Sequence, residues 1–160
     1  MKKLNPEHIK AVMQLVNQGP YFSLLSMELC ELDFGYCRFE VDLNNKHLNS
    51  YGGIHGGVYA SFIDSATYYA AYCDLEEDAG MISVDLHVDY LSNVKEGKLL
   101  IEGKRIKAGR NICLSEATVK DNNGKLLAHG TSKLMITNGL QTIKQAMTAM
   151  GYQSVPPKFL

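Results

Sequence analysis

Asn49-Ser50-Tyr51-Gly52-Gly53-Ile54-His55-Gly56-Gly57 leads directly into Val58-Tyr59-Ala60-Ser61-Phe62-Ile63-Asp64-Ser65-Ala66-Thr67-Tyr68-Tyr69-Ala70-Ala71-Tyr72-Cys73, a helix-length run whose one charged residue is Asp64. The run is apolar or small almost all the way round, the pattern of a helix enclosed by other elements rather than laid on a surface. An ionised carboxylate in such a helix costs on the order of several kcal/mol unless something compensates it. Asp64 is therefore either a satisfied structural acceptor or a functional group, and the run alone leaves both readings open. Ahead of it, Gly52, Gly53, Gly56 and Gly57 let backbone approach a ligand, and the first helical turn offers N–H groups with no intrahelical acceptor. That combination is a small anion or oxyanion site.

The spacing carries a second consequence. Gly56 and Asp64 are eight positions apart, about 12 Å along a helix at about 1.5 Å per residue. Asp64 cannot reach a carbonyl held by the amides of its own helix start. If both act on one substrate, the second comes from another subunit, so the spacing predicts a homodimer with two composite sites.

The remaining composition excludes more than it assigns. A chain of 160 residues is expected to form one domain, 1–160, with a core at 21–137 flanked by an N-terminal helix, 5–18, and a C-terminal helix, 140–150. A net charge of −1 leaves no footprint for nucleic acid or an anionic membrane, so neither is expected as a partner. Cys30, Cys37, Cys73 and Cys113 are scattered, with no C-x-x-C pair and no His at ligand spacing. They read as reduced packing residues, and neither a metal nor a cofactor is expected. The start Met1-Lys2-Lys3-Leu4-Asn5-Pro6-Glu7 has no apolar signal core, and no stretch approaches the length of a membrane span, which points to the cytoplasm.

Asn5 and Pro6 read as N-cap and N1 of the first helix, with Ile9, Val12, Met13 and Val16 as its apolar stripe and Gly19-Pro20 as its stop. Gly35 to Leu43 alternates as a half-buried strand, and so does Met81 to Leu91. Strand-like runs follow at Lys98 to Lys107, Asn111 to Lys120 and Lys125 to Thr137, the last two joined by the turn Asp121-Asn122-Asn123-Gly124. Leu140, Ile143, Met147 and Met150 make a final helical stripe stopped by Gly151. One strand, a helix and four antiparallel strands give an α+β arrangement in which a curved sheet wraps the helix.

The sequence resembles the hotdog-fold acyl-CoA thioesterases of the phenylacetyl-CoA thioesterase-like (PaaI-like) family. The resemblance rests on His47-x-Asn49-x-x-Gly52-x-x-His55-Gly56-Gly57, on Asp64 in the helix, and on Ser83-Val84-Asp85 opening the next strand; it covers about Tyr21 to Thr137. It implies a five- to six-stranded antiparallel sheet around a central helix, and an enzyme that hydrolyses aryl or fatty acyl-CoA without a metal. It places the oxyanion amide on Gly56, the nucleophile or general base on Asp64 of the neighbouring subunit, and substrate and water placement on Asn49 and Ser83. It also implies a homodimer, which can pair into a dimer of dimers. Chemistry agrees, because backbone amides at Gly56 and Gly57 would stabilise the carbonyl oxygen as negative charge develops there.

Around this set, His55 and His47 read first as residues that tie down the turn, with His55 next to bound substrate. Among Lys104, Arg105, Lys107, Arg110 and Lys133, which make the later strands locally basic, Arg110 and Lys104 are the candidates for coenzyme A phosphates. Tyr68, Tyr69 and Tyr72 either line an acyl pocket or fill the core. The sequence departs from the family at Ser26, where many relatives carry Gly, and in its C-terminal helix; neither is expected to touch the chemistry. Two rival functions stand beside hydrolysis: a non-catalytic acyl-CoA-binding module, and an acyl-thioester hydratase or dehydratase. The second is disfavoured because no Glu follows Asp64 before Glu76.

Overall fold

The central run forms α3, Gly56–Tyr72, in the computed structural model, which describes residues 2–160. Phe62, Ile63, Ala66 and Ala70 of α3 are fully buried, packed against one face of a single antiparallel sheet. Its strands are β1 (Met27–Asp33), β2 (Tyr36–Asp42), β3 (Ala79–Ser83), β4 (His87–Tyr90), β5 (Lys98–Ala108), β6 (Ile112–Asp121) and β7 (Leu126–Asn138). They run in the order β1-β2-β5-β6-β7-β3, with β4 also paired to β7. Period-two patterning puts Cys37, Phe39 and Val41 of β2, Leu99 and Ile101 of β5, and Ala117 and Val119 of β6 in the core with the helix. The helix comes closest at Gly103 of β5, where a Cβ would collide with the Ala66 carbonyl oxygen, the same oxygen that accepts from the Cys37 thiol at 3.1 Å.

Enclosure of α3 is one-sided, which corrects the reading of a helix covered all round. Gly57 is exposed, and Ser61, Asp64, Ser65 and Tyr68 are half-buried. Three- and four-residue steps align them on one face. The sheet takes the apolar side, and the stripe of small and polar residues is left partly open.

Two strand readings also change. Met27–Asp33 is a strand that the sequence reading lacks: its pairing with β2 slips between Leu29 and Glu31, and this bulge breaks the alternation by which a strand is recognised. The single strand expected over Met81 to Leu91 is two, because Val84-Asp85-Leu86 bows out of the ladder with β7. Asp85 there accepts from the Lys133 N–H at 2.7 Å and from its ammonium at 2.6 Å.

The first helix, α1 (Pro6–Asn17), has the expected cap, with the Asn5 side chain accepting from the Glu7 N–H. Gly19-Pro20 ends it but also starts a short helix, α2 (Pro20–Leu25). Ser26 closes α2 at φ 51°, the left-handed region in which glycine is unstrained, a physical reason for the glycine of the resembling family there. The last helix is α4 (Ile143–Met150), started two to three residues later than expected by a Thr142–Gln145 capping box and ended by Gly151 at φ 76°. A Cβ on Gly80 of β3 would run into the Leu140 and Gln141 carbonyls, so the approach to α4 lies directly on that strand.

Candidate active site

His55 is the N-cap of α3, and its Nδ1 accepts from the Gly57 N–H at 2.8 Å. This anchors the turn as expected, and it corrects the expectation of two free amides. With the Gly57 N–H turned to His55, Gly56 at the first helical position keeps the N–H without an acceptor among the described residues. His47 is fully buried; its Nδ1 accepts from the Asn44 N–H at 3.1 Å and its Nε2–H donates to the Leu25 carbonyl at 2.7 Å, so both ring nitrogens are committed to the fold. The Asn49 side-chain oxygen accepts from the N–H groups of Tyr51 and Gly53, folding the loop that delivers the helix start.

Asn49 and Gly56 border one open cavity of about 390 Å³, with Tyr59 and Tyr90 on its walls. The Tyr90 ring lies so close to Gly56 that an added Cβ would stand 3.2 Å from it. Asn93 holds this turn from outside, its side-chain oxygen accepting from the Ile54 N–H at 3.1 Å. No sequence signal pointed to Asn93, since the contact spans almost forty residues and no periodicity marks it.

Asp64 and Ser83 meet elsewhere. The Ser83 hydroxyl donates to Asp64 Oδ1 at 2.9 Å, and both border a cleft of about 640 Å³ between α3, the end of β3 and α4. Tyr68 and Tyr69 line this cleft, whereas the Tyr72 hydroxyl is bonded to His8 Nε2 at 2.8 Å on the far side of the helix. The C-terminal helix, expected to stand clear of the chemistry, supplies Gln145, Ala146 and Ala149 to the same cleft. A glycine inside a strand is a signal of close backbone approach, and Gly80 was the residue that could have revealed this. The two cavities share no lining residue. Each chain thus presents an amide half and a carboxylate half, apart from each other along one helix.

The basic residues divide as well. Arg105 Nε lies 2.7 Å from Asp74 Oδ2, and Lys133 is held by Asp85, which removes both as free cations. Lys104 is exposed on β5, and Arg110 is exposed at the tip of the β5–β6 hairpin. Neither borders either cavity, so within one chain the structure does not bring them to Asp64 or Gly56. Among the described residues no group of three or more His, Cys, Asp or Glu is placed to hold a metal ion, and no helix is long and apolar enough to cross a membrane.

The model of the thioesterase superfamily matches residues 51–128, which span the glycine turn, α3 and the strands up to β7. A protein of Saccharolobus solfataricus provisionally named an esterase is 28% identical over 120 residues, covering 75% of this chain and 79% of that protein. Mouse acyl-coenzyme A thioesterase 13 is 31% identical over 93 residues, 57% of this chain and 66% of that protein. Among solved structures, a thioesterase of Haemophilus influenzae superposes with a TM-score of 0.78 at 20% identity, covering 88% of this chain and 98% of that one, which establishes the shared fold. With the antiparallel sheet wrapped on α3 and the family match centred on the turn and helix that carry Gly56 and Asp64, the chain belongs to the thioesterase superfamily and has its hotdog fold.

Proposed function

We propose that this thioester hydrolase acts on acyl-CoA, at a site that two copies of the chain complete together. One observation carries the reading: Gly56 with an unpaired N–H and Asp64 with an oriented carboxylate sit on one helix in separate cavities, about 12 Å apart by helical rise. Antiparallel apposition of two such helices along their open stripes sets the amide half of one chain against the carboxylate half of the other. The exposed apolar residues Val84, Leu86 and Tyr90 on the β3–β4 edge extend the surface that a second copy would cover.

In this arrangement the thioester carbonyl oxygen accepts from the Gly56 N–H of one subunit, which stabilises the oxygen as it becomes negative. Asp64 of the other subunit attacks the carbonyl carbon or takes a proton from a water that does so. The C–S bond breaks, coenzyme A leaves as its thiol after gaining a proton, and the acid is released, directly or after water opens an acyl-aspartate anhydride. Ser83 keeps one Asp64 oxygen in place, and Asn49 shapes the amide side. Arg110 and Lys104, exposed and without a carboxylate partner among the described residues, are candidates for the coenzyme A phosphates of a neighbouring subunit's substrate.

The test is thiol release from a panel of short, medium, long and aromatic acyl-CoAs, run beside Asp64→Asn. The wild type is expected to turn over several members, and the variant to lose at least about a thousandfold in kcat while still binding substrate. Tight binding without turnover in the wild type would instead establish an acyl-CoA-binding module.

A further inference from the structure

Tyr59, Tyr68, Tyr69 and Tyr72 all lie on α3, and three of them have hydroxyl partners. Tyr59 donates to the Ser92 carbonyl at 3.0 Å, Tyr68 to the Gln141 carbonyl at 3.3 Å, and Tyr72 bonds His8. The Tyr69 hydroxyl makes no hydrogen bond among the described residues, although its ring packs edge-on against Phe22 and Phe39 in the core. A tyrosine placed so deep ordinarily finds a partner for its hydroxyl. Tyr69 borders the Asp64 cleft and also a small enclosed cavity of about 40 Å³ behind it, between α1, α3 and α4. It stands one helical turn beyond Ser65, on the side of the cleft away from the Gly56 end, where the part of a substrate remote from its carbonyl would lie.

The far wall is built by this chain's own C-terminal segment. Gln141 and Thr142 border both cavities, as does Ala146 of α4. The segment is firmly seated: Gly80 admits its backbone, Tyr68 donates to Gln141, Lys144 pairs with Asp78, and Lys158 is buried with its ammonium facing the Tyr72, Leu75 and Glu76 carbonyls at the end of α3. The lining of the cleft is therefore tyrosine, glutamine, serine and threonine, with alanine as its aliphatic part. A saturated chain would leave the Tyr69 hydroxyl and the Gln141 amide desolvated and unpaired.

We propose that the C-terminal segment and Tyr69 form the acyl-specificity wall of the Asp64 cleft, and that it selects acyl groups bearing a hydroxyl or other hydrogen-bonding group remote from the thioester over unsubstituted acyl groups of equal length. This rests on the hydrolase reading above and adds the substrate class. Burial pushes the Tyr69 phenol well above its ordinary range, so it stays protonated and able to donate at any working pH.

The test compares matched pairs, 4-hydroxyphenylacetyl-CoA with phenylacetyl-CoA and 6-hydroxyhexanoyl-CoA with hexanoyl-CoA. In the wild type the hydroxylated member of at least one pair is expected to have the higher kcat/KM. Tyr69→Phe removes one oxygen and keeps the packing, and it should lower that ratio by about threefold to tenfold, leaving the unsubstituted member nearly unchanged. Ala149→Phe, which fills the cleft from α4, should reduce turnover of both pairs far more than that of acetyl-CoA. An unchanged ratio in Tyr69→Phe, or a uniform loss across all substrates in Ala149→Phe, overturns the proposal while leaving hydrolysis intact. If no acyl-CoA is turned over, the hydrolase reading fails instead. The same ratios, read as dissociation constants on the Asp64→Asn protein, then decide whether the wall discriminates.

Discussion

Ser26 shows how one residue can carry strain that the family's glycine avoids. With φ at 51° its Cβ crowds the following carbonyl, and its hydroxyl accepts from Lys46 at 2.6 Å, a surface contact worth little. Ser26→Gly is expected to raise stability by about 0.5–1 kcal/mol, read as a rise of about 2–4 °C in Tm per kcal/mol for a chain of this size. His8 illustrates the opposite case, a polar group buried with every hydrogen bond made. Its Nδ1 bonds the Pro156 carbonyl at 2.6 Å and its Nε2 takes the Tyr72 hydroxyl, which leaves no room for a second ring proton. Burial, with Lys158 nearby, lowers its pKa below the ordinary 6.5 despite the opposing pull of the Pro156 carbonyl and Glu77. The folded state therefore binds fewer protons than the unfolded chain below about pH 6.5, so stability is whole above that pH and falls as the pH drops through it. Urea midpoints between about pH 7.5 and 5.5 should decline in the wild type and decline less in His8→Asn; equal slopes would dismiss His8 as the cause.

Among the elements, α4 and β3 are linked by the missing side chain of Gly80. Gly80→Ala places a methyl group against the Leu140 and Gln141 carbonyls, neither of which is a flexible side-chain end that could swing aside. The segment must move off the strand, taking Gln141 and the start of α4 out of the Asp64 cleft. A loss of about 1–3 kcal/mol in stability is expected, with relaxed discrimination among acyl-CoAs at preserved Asp64–Ser83 geometry. Wild-type selectivity in a destabilised Gly80→Ala protein would mean that α4 is not part of the specificity wall. Elements with clean periodicity, such as β2 with Cys37, Phe39 and Val41 inward, were legible without coordinates. β1 was not, because its bulge changes the face parity midway and Glu28, Glu31 and Asp33 dilute its apolar residues.

For the whole molecule the decisive quantity is the separation of the two cavities. Gly56→Pro removes an N–H at the first helical position, where proline is tolerated and His55 is already extended, at ψ 135°; Gly56→Ala controls for crowding against Tyr90. Each homodimer, Gly56→Pro or Asp64→Ala, should lose at least about a hundredfold in kcat/KM. Verified heterodimers of the two should regain up to about half of the wild-type sites, because one of the two composite sites then has both an intact amide and an intact carboxylate. Absence of recovery in such heterodimers, with folding confirmed, would falsify the shared site.

The sequence by itself determined the central helix, the glycine turn before it, the alternating strands and the isolation of Asp64, since each is written in local periodicity or in a residue type whose burial needs a reason. It also showed that Gly56 and Asp64 are too far apart for one substrate, because helical rise is a constant of the backbone. Only the tertiary structure decided which amide is free, because the Gly57 N–H is claimed by a side chain that could equally have faced solvent. Only the fold brought Ser83 to Asp64 across nineteen residues, and only the fold laid α4 beside them. Those pairings depend on which surfaces meet after the sheet curls, and no period in the chain encodes that.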